Sequence, residues 1–231
     1  MKLVFCLPGD SFSKSWLCSW NDTIRWLYKN KIEYVTVNAY SPIIYSCRNW
    51  LLGAKGNAPK SFKPFNGIIE YDWIIWIDSD CIWKPEDLEK LISNNDHKIV
   101  TGMYIQHDNK TYAQAISFTT EETKDIKHLH WLERERVDIN GSRFKLGASG
   151  MGFMAVKSGV FESFECPWFS PIPHEYENTF LSEDVSFCCK VTQLGYTIWA
   201  DPSIQIKHEK LWLLSGDSIT GIKPEALILT K

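Results

Sequence analysis

Residues Trp73-Ile74-Ile75-Trp76-Ile77 form an uninterrupted apolar run, and Asp78-Ser79-Asp80 follows it directly. Successive side chains of a strand point to opposite faces of a sheet, so a strand that is apolar on both faces must be covered on both. The run therefore predicts a central strand of a parallel sheet with helices on either side. With 44% hydrophobic and 23% charged residues, the chain has ordinary globular usage, which rules out disorder, collagen and coiled coil.

The segments around this strand follow the same logic. Lys2 to Leu7 reads as an apolar strand ending in Pro8-Gly9-Asp10, and the apolar residues at 16, 17, 20, 24, 27 and 28 fall at helical spacing. Ile32 to Val37 reads as a second strand, followed by a loop from Asn38 through Pro42. A helix from Ile43 to Lys55 comes next, punctuated by Gly53 and Gly56. Pro85, Glu86 and Asp87 open a further helix, because proline suits the first helical position and carboxylates suit the positive helix end. Ile99 to Tyr104 is the next strand. From Tyr112 the pattern changes: Tyr112 to Thr119, His128 to Leu132 and Phe144 to Val156 read as strands joined by polar loops, predicting a mixed or antiparallel portion. Ser182 caps a helix running to Leu194, with Gly195 as its stop; Tyr196 to Ala200 and Ile204 to Lys207 are short strands, and 211–231 is a C-terminal tail. No repeat or composition break divides the chain.

At 231 residues the chain can bury roughly 70% of its unfolded surface and needs no staple. The net charge of −3, without a block of Lys and Arg, gives no electrostatic footprint for nucleic acid or anionic lipid. The longest apolar stretches are strand-sized, short of the roughly 20 residues of a membrane helix, and Met1 to Leu7 is too short for a secretory core. The expectation is a soluble, cytoplasmic protein. The seven cysteines lack C-x-x-C spacing and read as reduced, buried thiols. Of the eleven tryptophans, most are expected in the core and two or three against a ligand.

Three places carry chemistry. Asp78 and Asp80, at the end of a buried parallel strand, lie on the edge where open α/β sheets bind ligands, and they are hard oxygen donors suited to Mg²⁺ or Mn²⁺. The competing reading is a turn that caps the next helix. Glu183 and Asp184 follow the Ser182 cap and serve either as partners of the helix dipole or as a base. A helix N-terminus weakens a carboxylate base unless an apolar wall such as Phe180 or Trp168 desolvates it. His208 offers a neutral imidazole as a third metal ligand, or is a plain surface histidine.

Taken in order, W-I-I-W-I-D-S-D, G-A-S-G-M-G-F-M-A-V-K-S-G-V-F at 147–161, S-E-D-V-S-F-C-C-K and the 201–208 segment ending in His resemble a nucleotide-sugar glycosyltransferase of the A-type fold, family-2-like, over roughly Lys2 to His208. The resemblance implies a single-domain α/β fold over 1–210, with a mostly parallel Rossmann-like central sheet, helices on both faces and a smaller antiparallel portion. It implies a nucleotide-sugar-binding half over 1–105 and an acceptor and catalytic half over 106–210. Asp78, Asp80 and His208 would hold Mn²⁺ or Mg²⁺ on the donor diphosphate. Arg48 and Asn49, with Pro8, Gly9, Asn38 and Ser79, would line the donor side. Gly150, Met151 and Gly152, with Trp168, would line the acceptor side, and Asp184, with Glu183 beside it, would be the base. The implied reaction moves a sugar from a nucleoside diphosphate donor, UDP-sugar favoured, to a hydroxyl of a glycan, small molecule or modified base; a carboxylate base implies inversion, and retention stays open.

The sequence departs from the family's pattern at three points. Val37-Asn38-Ala39 stands where an acidic residue often ends the second strand, Lys190 stands where an Arg commonly follows the E-D pair, and no Q-x-x-R-W motif or membrane segment follows His208. A processive polysaccharide synthase is therefore not expected. Two other readings stay open: a transferase acting on a modified DNA base, with Arg134, Arg136, Arg143 and Lys145 as a basic acceptor face, and a nucleotide-sugar-binding module without turnover.

Overall fold

A computed structural model describes residues 1–93, 96–117, 129–174 and 178–210. The first part runs β1 (Lys2–Pro8), α1 (Lys14–Lys29), β2 (Glu33–Ala39), α2 (Ile44–Leu51), β3 (Trp73–Ile77), β4 (Cys81–Ile82), α3 (Pro85–Ile92) and β5 (Ile99–Met103). The second part runs β6 (Thr111–Ser117), β7 (Leu129–Glu133), β8 (Phe144–Leu146), β9 (Ala148–Ser149), β10 (Phe153–Lys157), β11 (Ile172–Pro173), β12 (Phe180–Leu181), α4 (Glu183–Gln193), β13 (Ile198–Gln205) and β14 (Lys207–His208). The expected strand at 128–132 begins at residue 129, since 118–128 lie outside the described residues, as do 94–95, 175–177 and the tail at 211–231.

The central sheet has seven strands in the order β2-β1-β3-β10-β5-β13-β8. β2, β1 and β3 are parallel neighbours, as are β5 and β13; β10 and β8 run against them. The five co-directional strands match the mostly parallel sheet expected from the sequence. The antiparallel component is woven into the middle of the sheet: β10 lies between β3 and β5. Both parts of the chain thus build one sheet. A separate three-stranded sheet has the order β7-β6-β9.

Alternation along each strand sorts the core onto two faces. Leu3, Phe5, Trp73, Ile75, Ile77, Phe153 and Ala155 pack with Trp16 and Leu27 of α1 and Leu88, Leu91 and Ile92 of α3. Val4, Cys6, Ile74, Trp76, Met154 and Val156 pack with Cys47 and Leu51 of α2 and Val185 and Phe187 of α4. Two helices on each face explain why β3 is buried at all five positions. The Phe144 to Val156 run is broken into β8, β9 and β10 at Gly147 and at Gly150 to Gly152. The short strands expected at 196–200 and 204–207 are instead largely one strand, β13, irregular between Ala200 and Gln205. All seven cysteines are free thiols, and six are buried. Among the described residues no helix is long and apolar enough to cross a membrane.

Candidate functional site

The parallel strands β1, β2 and β3 end at one edge, and there Pro8, Gly9, Asn38 and Ser79 come together. The Asn38 amide donates to the carbonyls of Leu7 (2.8 Å) and Gly9 (2.9 Å), fixing the turn out of β1. Gly9 has a φ of 149°, and a Cβ there would meet Ser79 Cβ at 2.7 Å, so only glycine lets the two loops lie against each other.

The Asp78-Ser79-Asp80 loop is held from three sides. The Asp78 N–H donates to Gly152 O (3.0 Å), the Trp16 indole N–H donates to Asp78 O (3.2 Å), and the Glu209 N–H donates to Asp80 O (2.7 Å). These bonds join β10, α1 and the segment after β14 to the end of β3. The turn of the competing reading is present, the Cys81 N–H donating to Asp78 O at 3.1 Å, but at the start of the helix that follows the Lys84 N–H donates to Asp87.

The two loop aspartates face different partners. Asp78 meets Arg48, whose Nη2 lies 3.2 Å from Oδ1 and 3.3 Å from Oδ2. The guanidinium is only 3% exposed, sits over the Trp76 ring, and its Nε donates to Glu183 Oε1 at 3.0 Å. Arg48 therefore ties the end of β3 to the start of α4 instead of facing a nucleotide. Burial works against its charge, but the carboxylates of Asp78, Glu183 and Asp184 outweigh this and raise its pKa. Burial and then the adjacent Asp184 charge push Glu183 above the ordinary carboxylate range, with Arg48 acting in the opposite direction. Arg48 Nη1 and Asp78 Oδ1 are both buried without a hydrogen bond among the described residues.

Asp80 meets the other end of the chain. Its Oδ2 lies 3.0 Å from His208 Nε2 and accepts from Lys210 Nζ at 2.9 Å. Burial raises the pKa of Asp80, yet the contacts with His208 and Lys210 outweigh it and bring the value down to about 2. His208 Nδ1 lies 2.8 Å from Ile105 O, a carbonyl that accepts the ring proton whenever Nδ1 carries it, while Nε2 faces Asp80 and Lys210. A histidine oriented by a backbone carbonyl in this way is arranged as a metal ligand.

Among the described residues no three His, Cys, Asp or Glu groups converge on one point. The expected set of Asp78, Asp80 and His208 is therefore assembled only as the pair Asp80–His208, because Arg48 engages Asp78. The pair still fits a cation, since the Lys210 ammonium already lies against both donors, 2.8 Å from His208 Nε2.

At the start of α4, Ser182 occupies the cap position, but its hydroxyl donates to Asp184 Oδ1 instead of capping the backbone. The same oxygen accepts from the Val185 N–H at 2.7 Å, so Asp184 is oriented from two sides and remains half-buried. Of the two apolar walls suggested by the sequence, Phe180 is 66% exposed and Trp168 is fully buried.

The residues expected on the acceptor side play packing roles. The Trp168 indole N–H donates to Phe161 O (2.8 Å) within the core, so Trp168 does not line a pocket. Asn49 is a bracket: its amide donates to Tyr45 O and Phe169 O, and its Oδ1 accepts from the N–H groups of Trp168 and Phe169. It thus presents nothing to a donor. Met151 is buried. Gly150 and Gly152 leave room for Tyr104, whose hydroxyl accepts from the Gly152 N–H at 2.9 Å. Lys190 uses its donors on Pro167 O, Trp168 O and Ser170 Oγ, a set of separate acceptors that suits an ammonium as well as a fork. Sequence reasoning missed Lys210 and Tyr104, and no local pattern marks either.

Of the residues of the basic acceptor face, three have partners and Arg134 is exposed. Arg143 pairs with Asp201, Arg136 with Glu133, and Lys145 lies over the Trp199 ring.

No protein-family model matches the chain, and no curated protein matches its sequence. The structure is similar to A197 from STIV at 17% identity and a TM-score of 0.53, covering 93% of this chain and 97% of that one. It also overlaps the catalytic domain of Drosophila beta1,4galactosyltransferase 7 in complex with xylobiose (10% identity, TM-score 0.47, 94% and 78% covered). A third overlap is with GalNAc-T7 with UDP, GalNAc and Mn²⁺ (12% identity, TM-score 0.48, 90% and 44% covered). The first likeness is one of fold, and the other two are loose. The chain thus has a mixed α/β single-domain fold with a mostly parallel central sheet.

Proposed function

We propose that the protein transfers a sugar from a nucleoside diphosphate sugar, with UDP-sugar favoured, to an acceptor hydroxyl. The observation that carries this reading is that the Asp78–Asp80 loop is met on one side by His208, 128 positions from Asp80, and on the other, through Arg48, by Glu183 beside Asp184.

In this reading the donor lies along Pro8, Gly9, Asn38 and Ser79. Asp80 and His208 would hold Mn²⁺ or Mg²⁺ beside the donor diphosphate. A divalent ion held there would supply positive charge against the charge that develops on the leaving diphosphate. Asp184 takes the proton of the attacking hydroxyl. Its Oδ1 is engaged by Ser182 and Val185, and its Oδ2 accepts no hydrogen bond among the described residues, so that oxygen is available. Glu183, locked to Arg48, positions α4 and keeps the pair together. Attack assisted by a carboxylate base in one displacement gives inversion at the sugar carbon.

The test is donor hydrolysis and transfer with a panel of nucleotide sugars and Mn²⁺. Release of nucleoside diphosphate is expected, falling by roughly 10²-fold or more in Asp184→Asn with donor affinity nearly kept, the usual size for general base catalysis. Full turnover by a destabilised Asp184→Asn would remove Asp184 from the mechanism.

A further inference from the structure

Each loop aspartate is already matched by a cationic side chain: Asp78 by Arg48, and Asp80 by Lys210. The two contacts differ in kind. Arg48 is sealed in the core at 3% exposure, whereas Lys210 and Asp80 are each 41% exposed. The Lys210 Nζ lies 2.9 Å from Asp80 Oδ2 and 2.8 Å from His208 Nε2. In the tautomer that donates from Nδ1 to Ile105 O, His208 accepts from the ammonium through the Nε2 lone pair. One carboxylate oxygen and one imidazole nitrogen 3.0 Å apart are thus both filled by a single positive group. Such a mixed N and O pair is a fair donor set for Mn²⁺, and the same two lone pairs cannot serve an ammonium and a metal ion at once.

We propose that Lys210 belongs to this site: its ammonium is the resident cation of the Asp80–His208 pair, and a divalent metal enters only by displacing it. The proposal rests on the reading of Asp80 and His208 as the cation seat. Exposed ion pairs of this type are weak, so the ammonium is held loosely enough to be exchanged. Two consequences follow. The free protein binds metal poorly, and metal binding releases the Lys210 side chain.

Both consequences are measured on the full chain without nucleotide. Mn²⁺ affinity is read by electron paramagnetic resonance or calorimetry for the wild type, Lys210→Ala, Asp80→Ala and Lys207→Ala, the last a neighbouring exposed lysine that controls for loss of charge. Lys210→Ala is expected to bind Mn²⁺ about fivefold more tightly, in keeping with the size of an exposed pair, with less than a twofold change in Lys207→Ala. Acetylation of Lys210, followed by mass spectrometry, is expected to rise when Mn²⁺ is added to the wild type, while that of Lys207 stays constant. If Asp80→Ala abolishes Mn²⁺ binding but Lys210→Ala leaves it unchanged, or if bound Mn²⁺ fails to expose Lys210, the role of Lys210 is overturned and the seat stands. If Asp80→Ala leaves Mn²⁺ binding intact, or no variant binds Mn²⁺, the seat itself fails and the proposal falls with it.

Discussion

Alanine at Gly150 would place a methyl carbon 2.3 Å from the Tyr104 hydroxyl, far inside contact distance, and 3.4 Å from Ala113 Cβ. Tyr104 is 6% exposed and cannot swing into solvent. To accommodate the methyl group the ring must shift, and the bond from the Gly152 N–H to its hydroxyl must lengthen. Overpacking of this kind costs about 1–3 kcal/mol, and an orphaned buried N–H costs a comparable amount. A loss of about 3 kcal/mol is expected, or a fall of roughly 6–12 °C in Tm for a chain of this size. Tyr104→Phe removes the offending oxygen, and the next ring atom, Cζ, lies at an ordinary 3.4 Å from the new carbon. The double variant should therefore be no less stable than Tyr104→Phe alone. A double-mutant cycle by urea denaturation measures this, with a coupling of about 1 kcal/mol or more expected for groups in contact. Gly150→Ala within about 0.5 kcal/mol of wild type, the usual scatter for a neutral change, would refute the packing role. Strictly additive losses in the cycle would do the same.

Two further outcomes follow from the ion pairs. Arg48→Ala leaves Asp78 and Glu183 facing each other without the guanidinium and should cost about 3–5 kcal/mol, the usual penalty for breaking a buried pair from one side; a loss below about 1 kcal/mol on denaturant unfolding would show that the three groups are not a buried network. For Asp201, burial raises the pKa, but the hydrogen bond from Ser203 and then the Arg143 contact bring it below the ordinary carboxylate value. Its contribution is thus present above the unfolded pKa of about 3.8 and lost as pH falls through the lower folded value. The stability gap between wild type and Asp201→Asn should shrink as pH is lowered through that window, and a gap independent of pH would contradict the assignment.

The sequence by itself determined the strand at 73–77, down to its two ends, because five consecutive apolar residues admit only a site covered on both faces. It also determined that Asp78 and Asp80 stand at that strand's end, that Pro85 starts a helix, and that Glu183 and Asp184 open another. These features are local: they depend on period, capping and the position of proline, all of which are written into neighbouring residues. Only the tertiary structure decided that β10 enters antiparallel between β3 and β5, since alternation reports which side chains are buried and not which strand lies alongside. It likewise decided that Arg48 is a buried tie and not a donor contact. Its partner Glu183 is 135 positions away, and no property of either residue names the other. The same holds for Asp80 and His208, separated by 128 positions, and for Lys210, whose exposed ammonium acquires a role only because the chain end folds back onto the β3 loop. Trp168 and Asn49 were expected at a pocket because aromatic and amide groups suit ligands, but the same groups suit a core that must satisfy its own backbone, and here the interior uses them.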